Sequence, residues 1–242
     1  MQHYNGEIFY RRRLPHWQPP GATFFITFRL AGSLPGHVLA ELREERSRLM
    51  KQPFRAEETE EAKKVRVDKR VFALTDAVLG RTRTDVWLED VRIAEMLRYS
   101  LAYWDNRYYR LERFVIMPNH VHVLIEPLPM GNAGLEPEYY PIPTIMASLK
   151  GYTARKANRL LRRTGAFWQD ENYDHWVRSD TENARIRDYI DANPVEAGLC
   201  TYPHEWRWSS AHEELHPWGG LPSPPNRAGS EARSTTIGDR RS

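Results

Sequence analysis

The chain has 242 residues, 40% of them hydrophobic and 28% charged, with a formal net charge of +3. That length can bury a real core, and the balance is that of a globular chain rather than a disordered or fibrous one. A single cysteine, Cys200, excludes an internal disulfide framework and a multi-cysteine zinc site. No apolar run approaches the ~18 residues of a membrane span. Residues 1–13 carry charge with no apolar stretch behind them, so no signal peptide is expected and the cytoplasm is the default.

The chain opens on a basic arm, Arg11-Arg12-Arg13, followed by Leu14-Pro15-His16-Trp17-Gln18-Pro19-Pro20-Gly21, which is too rich in breakers to be helical. Such an arm suits a phosphate backbone, and a solvated terminus equally. Residues 23–30 alternate with period two: Phe24, Ile26, Phe28 and Leu30 point one way, Thr23, Thr27 and Arg29 the other, which predicts a strand. Val38, Leu39, Leu42, Leu49 and Met50 have helical spacing, and Pro53 interrupts the helix they predict. Residues 57–79 are charged and weakly periodic, which predicts a peripheral helical insertion within about 53–83. Val91, Ala94, Leu97, Leu101 and Trp104 form one inward stripe of a helix over 87–104.

A strand over 108–117 then leads through Pro118-Asn119 into Met117-Pro118-Asn119-His120-Val121-His122-Val123-Leu124-Ile125-Glu126. Neighbours joined so tightly should pair antiparallel. On the second strand His120, His122, Leu124 and Glu126 share one side and Val121, Val123 and Ile125 the other. Two imidazoles roughly 6 to 7 Å apart along a strand can converge on one cation, and neutral imidazole is the commonest metal ligand. Taken alone, two alternate histidines more often line a strand face and bond to neighbours. As a metal pair they belong at the strand surface.

Residues 127–143 hold five prolines and read as a loop. A helix follows over 145–163, with Met146, Leu149, Thr153, Ala157 and Leu160 inward. Residues 148–164 carry six basic residues, Lys150, Arg155, Lys156, Arg159, Arg162 and Arg163, and no acid. Arg155, Arg159 and Arg162 fall at i, i+4 and i+7. Like charges so arranged cost helix stability, which favours a polyanion partner over a merely solvated face. Phe167-Trp168-Gln169 and His175-Trp176-Val177 flank an acidic turn and predict a short strand or hairpin. Ser179-Asp180-Thr181-Glu182 has the form of a capping box, and the helix over 183–192 should end near Asn193 because Pro194 follows. Tyr189 and Asn193 share a face of it; from the helix alone, Tyr189 reads as a core tyrosine. Residues 217–242 are rich in Pro, Gly, Ser and Arg, and disorder is expected there.

Strands interleaved with helices in this order predict an α+β sandwich of ferredoxin-like type: an antiparallel sheet with helices mainly on one face. Four segments occur in sequence: Arg13-Leu14-Pro15-His16-Trp17-Gln18 with residues 23–30; the two-histidine strand; Phe167-Trp168-Gln169 with Tyr173-Asp174-His175-Trp176-Val177-Arg178; and Tyr189-Ile190-Asp191-Ala192-Asn193-Pro194. Together, over residues 11–210, they resemble the REP-associated tyrosine transposases, relatives of the single-tyrosine transposases of the His-hydrophobe-His (HUH) endonucleases.

The resemblance implies that His120 and His122 bind a divalent metal, Mg²⁺ or Mn²⁺, that Tyr189 is the nucleophile, and that Asn193 assists at the metal, where insertion-sequence relatives usually carry glutamine. It implies a single-stranded DNA substrate bearing a hairpin of the repetitive extragenic palindrome kind, cut and rejoined through a covalent 5′-phosphotyrosine, by a monomer or homodimer. The insertion and the tail lie outside the shared core. The basic arm, the basic helix and the aromatics Trp17, Tyr152, Phe167 and Trp168 suit phosphate contact and base stacking. Two other classes stay open: a hairpin-binding protein without cleavage, and a metal-dependent phosphoesterase that uses water and forms no adduct. Tyr173, on a polar turn, is the rival nucleophile and should be the more exposed of the two.

Overall fold

The structure, a computed structural model, describes residues 2–4, 7–11, 15–131 and 138–215, and the side chains from residue 18 to 212 within them. Arg12, Arg13, residues 217–242 and the side chains of Arg11 and Trp17 lie outside that set. In chain order the elements are β1 (Gln2–Tyr4), β2 (Glu7–Arg11), β3 (Pro15–Gln18), β4 (Phe24–Arg29), α1 (Gly36–Lys51), α2 (Glu60–Arg81), a 3₁₀ turn (Trp87–Glu89), α3 (Val91–Trp104), β5 (Tyr109–Ile116), β6 (His120–Pro127), α4 (Ile142–Leu160), β7 (Tyr173–Trp176), α5 (Asp180–Glu196), a second 3₁₀ turn (Pro203–Glu205) and α6 (Ser210–Leu215). The first three strands form a small antiparallel sheet, and the other four the main sheet, in the order β5-β6-β4-β7. Every pair in that sheet is antiparallel. The main sheet is the ferredoxin-like arrangement, with the first strand, β4, in the interior.

The alternation along β4 and β6 sorts two cores. Phe24, Ile26, Phe28, Leu30, Val121, Val123 and Ile125 face α3 and α4 in the larger cluster. Burying a side chain of that size contributes ~1.5–3 kcal/mol. Phe25, Leu124, Val115 and Met117 face the other way, against Ile190 of α5 and, at its margin, Phe72 of α2. The polar side of β4 is therefore covered too, and Thr27 is buried.

The helix predicted to begin at 145 begins at Ile142. Gln18 caps it from a distance, its Oε1 accepting from the Ile142 N–H at 2.9 Å while its Nε2 donates to the Tyr140 carbonyl at 3.0 Å. Pro143 falls in the first turn, where a missing N–H costs nothing. The same helix stops at Leu160, and Arg162 has a left-handed φ of 50° in the turn beyond. Arg155, Arg159 and Arg162 therefore do not continue one helical face. In α3 the inward stripe includes Ile93, and Val91 is exposed. Around α5, Ser179 caps as expected, accepting from the Glu182 N–H at 3.1 Å, but the helix runs through Pro194 to Glu196. The proline removes only the bond to the Ile190 carbonyl, close to the helix end, and Ala197 N–H closes the last turn onto Asn193 O at 3.0 Å.

The insertion helix α2 is not peripheral. Val67 and Leu79 are buried, and Phe72 stacks on Tyr173 at 4.0 Å and meets Phe25 edge-on at 5.6 Å. At its end Asn119, in the tight β5–β6 connection, donates to Leu79 O at 3.1 Å and Thr82 O at 3.2 Å. A register shift between Leu111 and Arg113 marks a bulge at Glu112. Bulges re-aim side chains. Here the carboxylate accepts from Thr23 at 3.0 Å, Asn183 at 3.1 Å and Arg187 at 3.4 Å, tying α5 to the sheet.

Candidate active site

His120 and His122 come from β6 on the face that α2 and α5 cover, and both are 0% exposed. This corrects the expectation of a strand surface: local alternation shows which side a residue faces, not what is laid over it. Their Nε2 atoms lie 3.2 Å apart. Each Nδ1 is held from behind, His120 by Asn119 Oδ1 at 2.7 Å and His122 by Thr27 Oγ1 at 2.7 Å. Because the Asn119 amide nitrogen is committed to two carbonyls, its oxygen must face His120, so His120 Nδ1 carries the proton and Nε2 presents a lone pair. Such outer partners fix tautomer and ring orientation in metal sites. Phe25 stacks on His122 at 5.5 Å.

The residue that sequence reading missed is Asp76, from α2. Its Oδ1 lies 3.2 Å from His122 Nε2 and 3.6 Å from His120 Nε2. That oxygen is buried and accepts no hydrogen bond. A carboxylate oxygen without a donor, facing the His120 lone pair and His122 Nε2, is what a divalent cation would satisfy; the three residues form a candidate metal-binding group. Asp76 Oδ2 accepts the Tyr189 hydroxyl. Asn193 Nδ2 approaches the same oxygen at 3.5 Å and His122 Nε2 at 3.2 Å, so asparagine at 193 does reach the histidine pair. Asp76 is the only charged residue in the apolar run 71–79, a signal that could have marked it.

Burial opposes ionisation of Asp76, yet His122, His120 and Tyr189 outweigh it and hold the carboxyl below the usual range. Burial, then the charge and hydrogen bond of Asp76, push the Tyr189 phenol up. Burial, then His122, lowers His120 to about 3 against the opposing pull of Asp76. The unfolded chain takes up a proton at this histidine as pH falls through its ordinary 6.5, whereas the folded protein refuses it until about 3. Stability of the metal-free protein should therefore be complete above about 6.5 and decline as pH falls toward 3. Denaturant midpoints from pH 7 to 4 measure this, and His120→Gln should flatten the profile.

Tyr173 lies on β7 with its ring against Phe72 and 6.2 Å from Phe25. Contrary to expectation it is half-buried rather than on an open turn. Burial and then Asp68, Asp174 and Glu182 raise its pKa. None of its hydrogen bonds or ring contacts reaches His120.

The basic helix lies on the other side. Ile145, Met146 and Leu149 of α4 pack in the cluster with Val121 and Val123, so α4 and the histidines occupy opposite faces of the sheet. Arg155, Lys156, Arg159 and Arg162 are exposed. Lys150 donates to Gln169 O at 2.8 Å and Asp170 O at 2.7 Å. Arg163 lies over Trp87 at 5.5 Å and Phe167 at 5.8 Å and donates to Ala166 O at 3.2 Å. These last two are thus committed to holding the following turn. No helix among the described residues is long and apolar enough to cross a membrane.

Residues 78–193 match the family described as transposase IS200 like. A Haemophilus influenzae protein named as a REP-associated tyrosine transposase is 31% identical over 114 residues, 44% of this chain and 65% of its own length. A second, uncharacterized protein of that organism is 26% identical over 125 residues, 44% of this chain and 69% of its own. Among solved structures, a REP-associated tyrosine transposase bound to a REP hairpin is similar with a TM-score of 0.47 and 18% identity, covering 96% of this chain and 98% of that one. Over residues 78–193, just under half of its length, the chain is similar to the IS200-like transposases, and over 114 residues to a REP-associated tyrosine transposase.

Proposed function

We propose that this protein is a transposase that cuts and rejoins single-stranded DNA bearing a hairpin, with Tyr189 as nucleophile and a covalent 5′-phosphotyrosine as intermediate. The observation that carries the reading is Asp76, whose two oxygens reach the histidine pair and the Tyr189 hydroxyl at once. His120, His122 and Asp76 would hold Mg²⁺ or Mn²⁺, with Asn193 able to join through its amide oxygen if the amide turns over. Neither ion strongly prefers imidazole, so a carboxylate oxygen in the set suits both. When bound, the cation supplies Lewis-acid polarisation of the scissile phosphate.

Asp76 Oδ2 orients the phenol and is placed to take its proton. Tyr189 Oη forms a bond to phosphorus while the bond from phosphorus to the 3′-oxygen breaks, and that oxygen picks up a proton from solvent. The phosphodiester energy stays in the tyrosyl ester, so rejoining needs no nucleotide. Phe25 and Phe72 pack beside His122, Phe25 also beside Tyr189, and Tyr173 stacks on Phe72.

The test is incubation of the whole chain with labelled single-stranded hairpin DNA from beside its own gene, resolved on a denaturing protein gel. Label should migrate with the protein in Mg²⁺ or Mn²⁺ and not in EDTA. Metal-dependent cleavage without an adduct would mean a water-using phosphoesterase; binding without cleavage would mean a hairpin-binding module.

The DNA contacts of Arg11, Arg12, Arg13 and the basic helix belong to the same proposal. Because α4 and the histidines occupy opposite faces, a DNA that touches both must pass an edge of the sheet. Each phosphate contact on a single strand adds about 0.7 to the salt slope. Neutralising Arg155, Arg159 and Arg162 together should therefore lower the slope of log K against log salt by roughly 2. An unchanged slope would leave that face without a role in binding.

A further inference from the structure

Arg29 ends β4 on the face that carries the site. In the β4–β6 ladder Thr27 is the cross-strand partner of His122 and Arg29 that of His120. Directly opposed residues point to the same side of a sheet, and the Thr27–His122 hydrogen bond demonstrates this for the neighbouring pair. Arg29 is thus a half-buried cation that leaves the sheet on the same face as His120. Its contacts are few: Nη1 donates to Ser33 Oγ at 3.1 Å and, at 3.4 Å, to Leu30 O. Ser33 is fully buried, and its hydroxyl proton is spent on Leu30 O at 2.8 Å, so a lone pair holds the guanidinium.

No acid among the described residues forms an ion pair with Arg29. Asp85, whose carboxylate lies against Gly32 on the loop that follows, does not. Burial pulls the guanidinium pKa below its ordinary value, a cost that structural arginines offset with a carboxylate. Among the described residues no group accepts from its Nε or Nη2. A planar fork with donors to spare is a recognition device for a carboxylate or phosphate.

Position along the strand selects the ligand. Phe25 sits 5.9 Å from the Tyr189 ring, Thr27 holds His122, and Arg29 stands opposite His120. Along the strand, the positions that face the histidine pair therefore lie between Phe25, beside the nucleophile, and Arg29. We infer that Arg29 is a phosphate ligand of the active site: its free donors bind the scissile phosphate on the side away from Tyr189, where charge gathers as the 3′-oxygen leaves. This rests on the proposed strand cleavage and adds to it a substrate-binding residue from a strand outside the family-matched region 78–193. Electrostatic donors aimed at developing charge are worth about 10²–10³ in rate when one is removed.

The test uses the full chain in Mn²⁺. Arg29→Gln can still donate to Ser33; it should bind Mn²⁺ within about twofold of the unaltered chain but form the tyrosine adduct ~100-fold more slowly. Arg29→Lys, charged but without the fork, should recover only part of the rate. An adduct rate within about threefold of the unaltered chain overturns the inference. So does an equal loss of Mn²⁺ affinity and rate, which would make Arg29 a support for the metal site.

A second arm measures binding alone, in Tyr189→Phe, by scanning an uncharged methylphosphonate along the single-stranded arm of the hairpin oligonucleotide. One linkage should weaken binding at least ~10-fold in Tyr189→Phe and have no such effect in Tyr189→Phe/Arg29→Gln. Equal penalties in both proteins overturn the inference. If the unaltered chain forms no adduct, the cleavage proposal fails by itself, and the methylphosphonate scan still decides Arg29.

Discussion

Tyr189→Phe is expected to form no covalent adduct while binding hairpin DNA about as well as the unaltered chain. The substitution removes one oxygen. The ring stays beside Phe25 and His122, at 5.9 and 5.5 Å, and the proposed DNA contacts lie elsewhere. What is lost is the hydroxyl that Asp76 holds, and with it the only atom of this side chain able to attack phosphorus. Loss of a covalent nucleophile leaves nothing for a partial rate, so the adduct should fall below detection rather than slow by a factor. Tyr173→Phe should retain the adduct, because that phenol is packed against Phe72 and makes no bond to Asp76 or the histidines. A denaturing gel of the two variants separates them. An adduct that survives in Tyr189→Phe and disappears in Tyr173→Phe would move the site to β7.

The second large effect concerns the cation. Removing His120, His122 or Asp76 should abolish Mn²⁺-dependent nicking and, in the same proteins, the rise in thermal midpoint that Mn²⁺ gives. A ligand that binds only the folded state stabilises it by RT ln(1 + [L]/Kd), about 2.7 kcal/mol at a hundredfold excess over Kd. Asp76→Asn is the sharpest of the three. It preserves shape and keeps an acceptor for the Tyr189 hydroxyl; because the surroundings favour the ionised carboxylate, it should lower the stability of the metal-free protein at neutral pH while leaving it folded and deleting the Mn²⁺ response. Asn119→Ala, which removes the partner of His120 Nδ1 together with the two bonds that hold the end of α2, should cost at least about 10–100-fold in Mn²⁺ affinity. A full Mn²⁺ shift in Asp76→Asn would mean that the histidines hold the ion without it.

Much of this architecture follows from periodicities a reader can count. The alternation in residues 120–126 separates His120, His122 and Leu124 from Val121, Val123 and Ile125, and the two cores divide along the same line. The strand at 24–29, the tight Pro118-Asn119 connection and the Ser179 cap belong to the same class of local rule. What escaped depends on contacts distant in sequence. The histidines are buried because α2 and α5 lie over them, and neither helix announces its destination. Asp76 meets Tyr189 across 113 positions, a separation that no window of spacing can bridge. Pro143 and Pro194 misled for a different reason: a proline breaks a helix interior but is tolerated within a turn of either end, and which case applies depends on where the caps are. Gln18, the cap of α4, lies 124 residues from the N–H it satisfies.

The carboxylate at 76 owes its place to helical phase. Asn119 grips the end of α2 through the carbonyls of Leu79 and Thr82, so that end is fixed, and Asp76 sits one turn before it. Losing or gaining one residue between 76 and 79 would swing the carboxylate by about 100° around the helix axis, away from both histidines. On the proposed chemistry, a single in-frame codon deletion there would silence strand cleavage while leaving His120, His122, Tyr189 and Asn193 intact. Copies of such a gene could therefore decay into hairpin binders with no change in any motif residue, and a genome's tally of intact motifs would overstate its number of working enzymes.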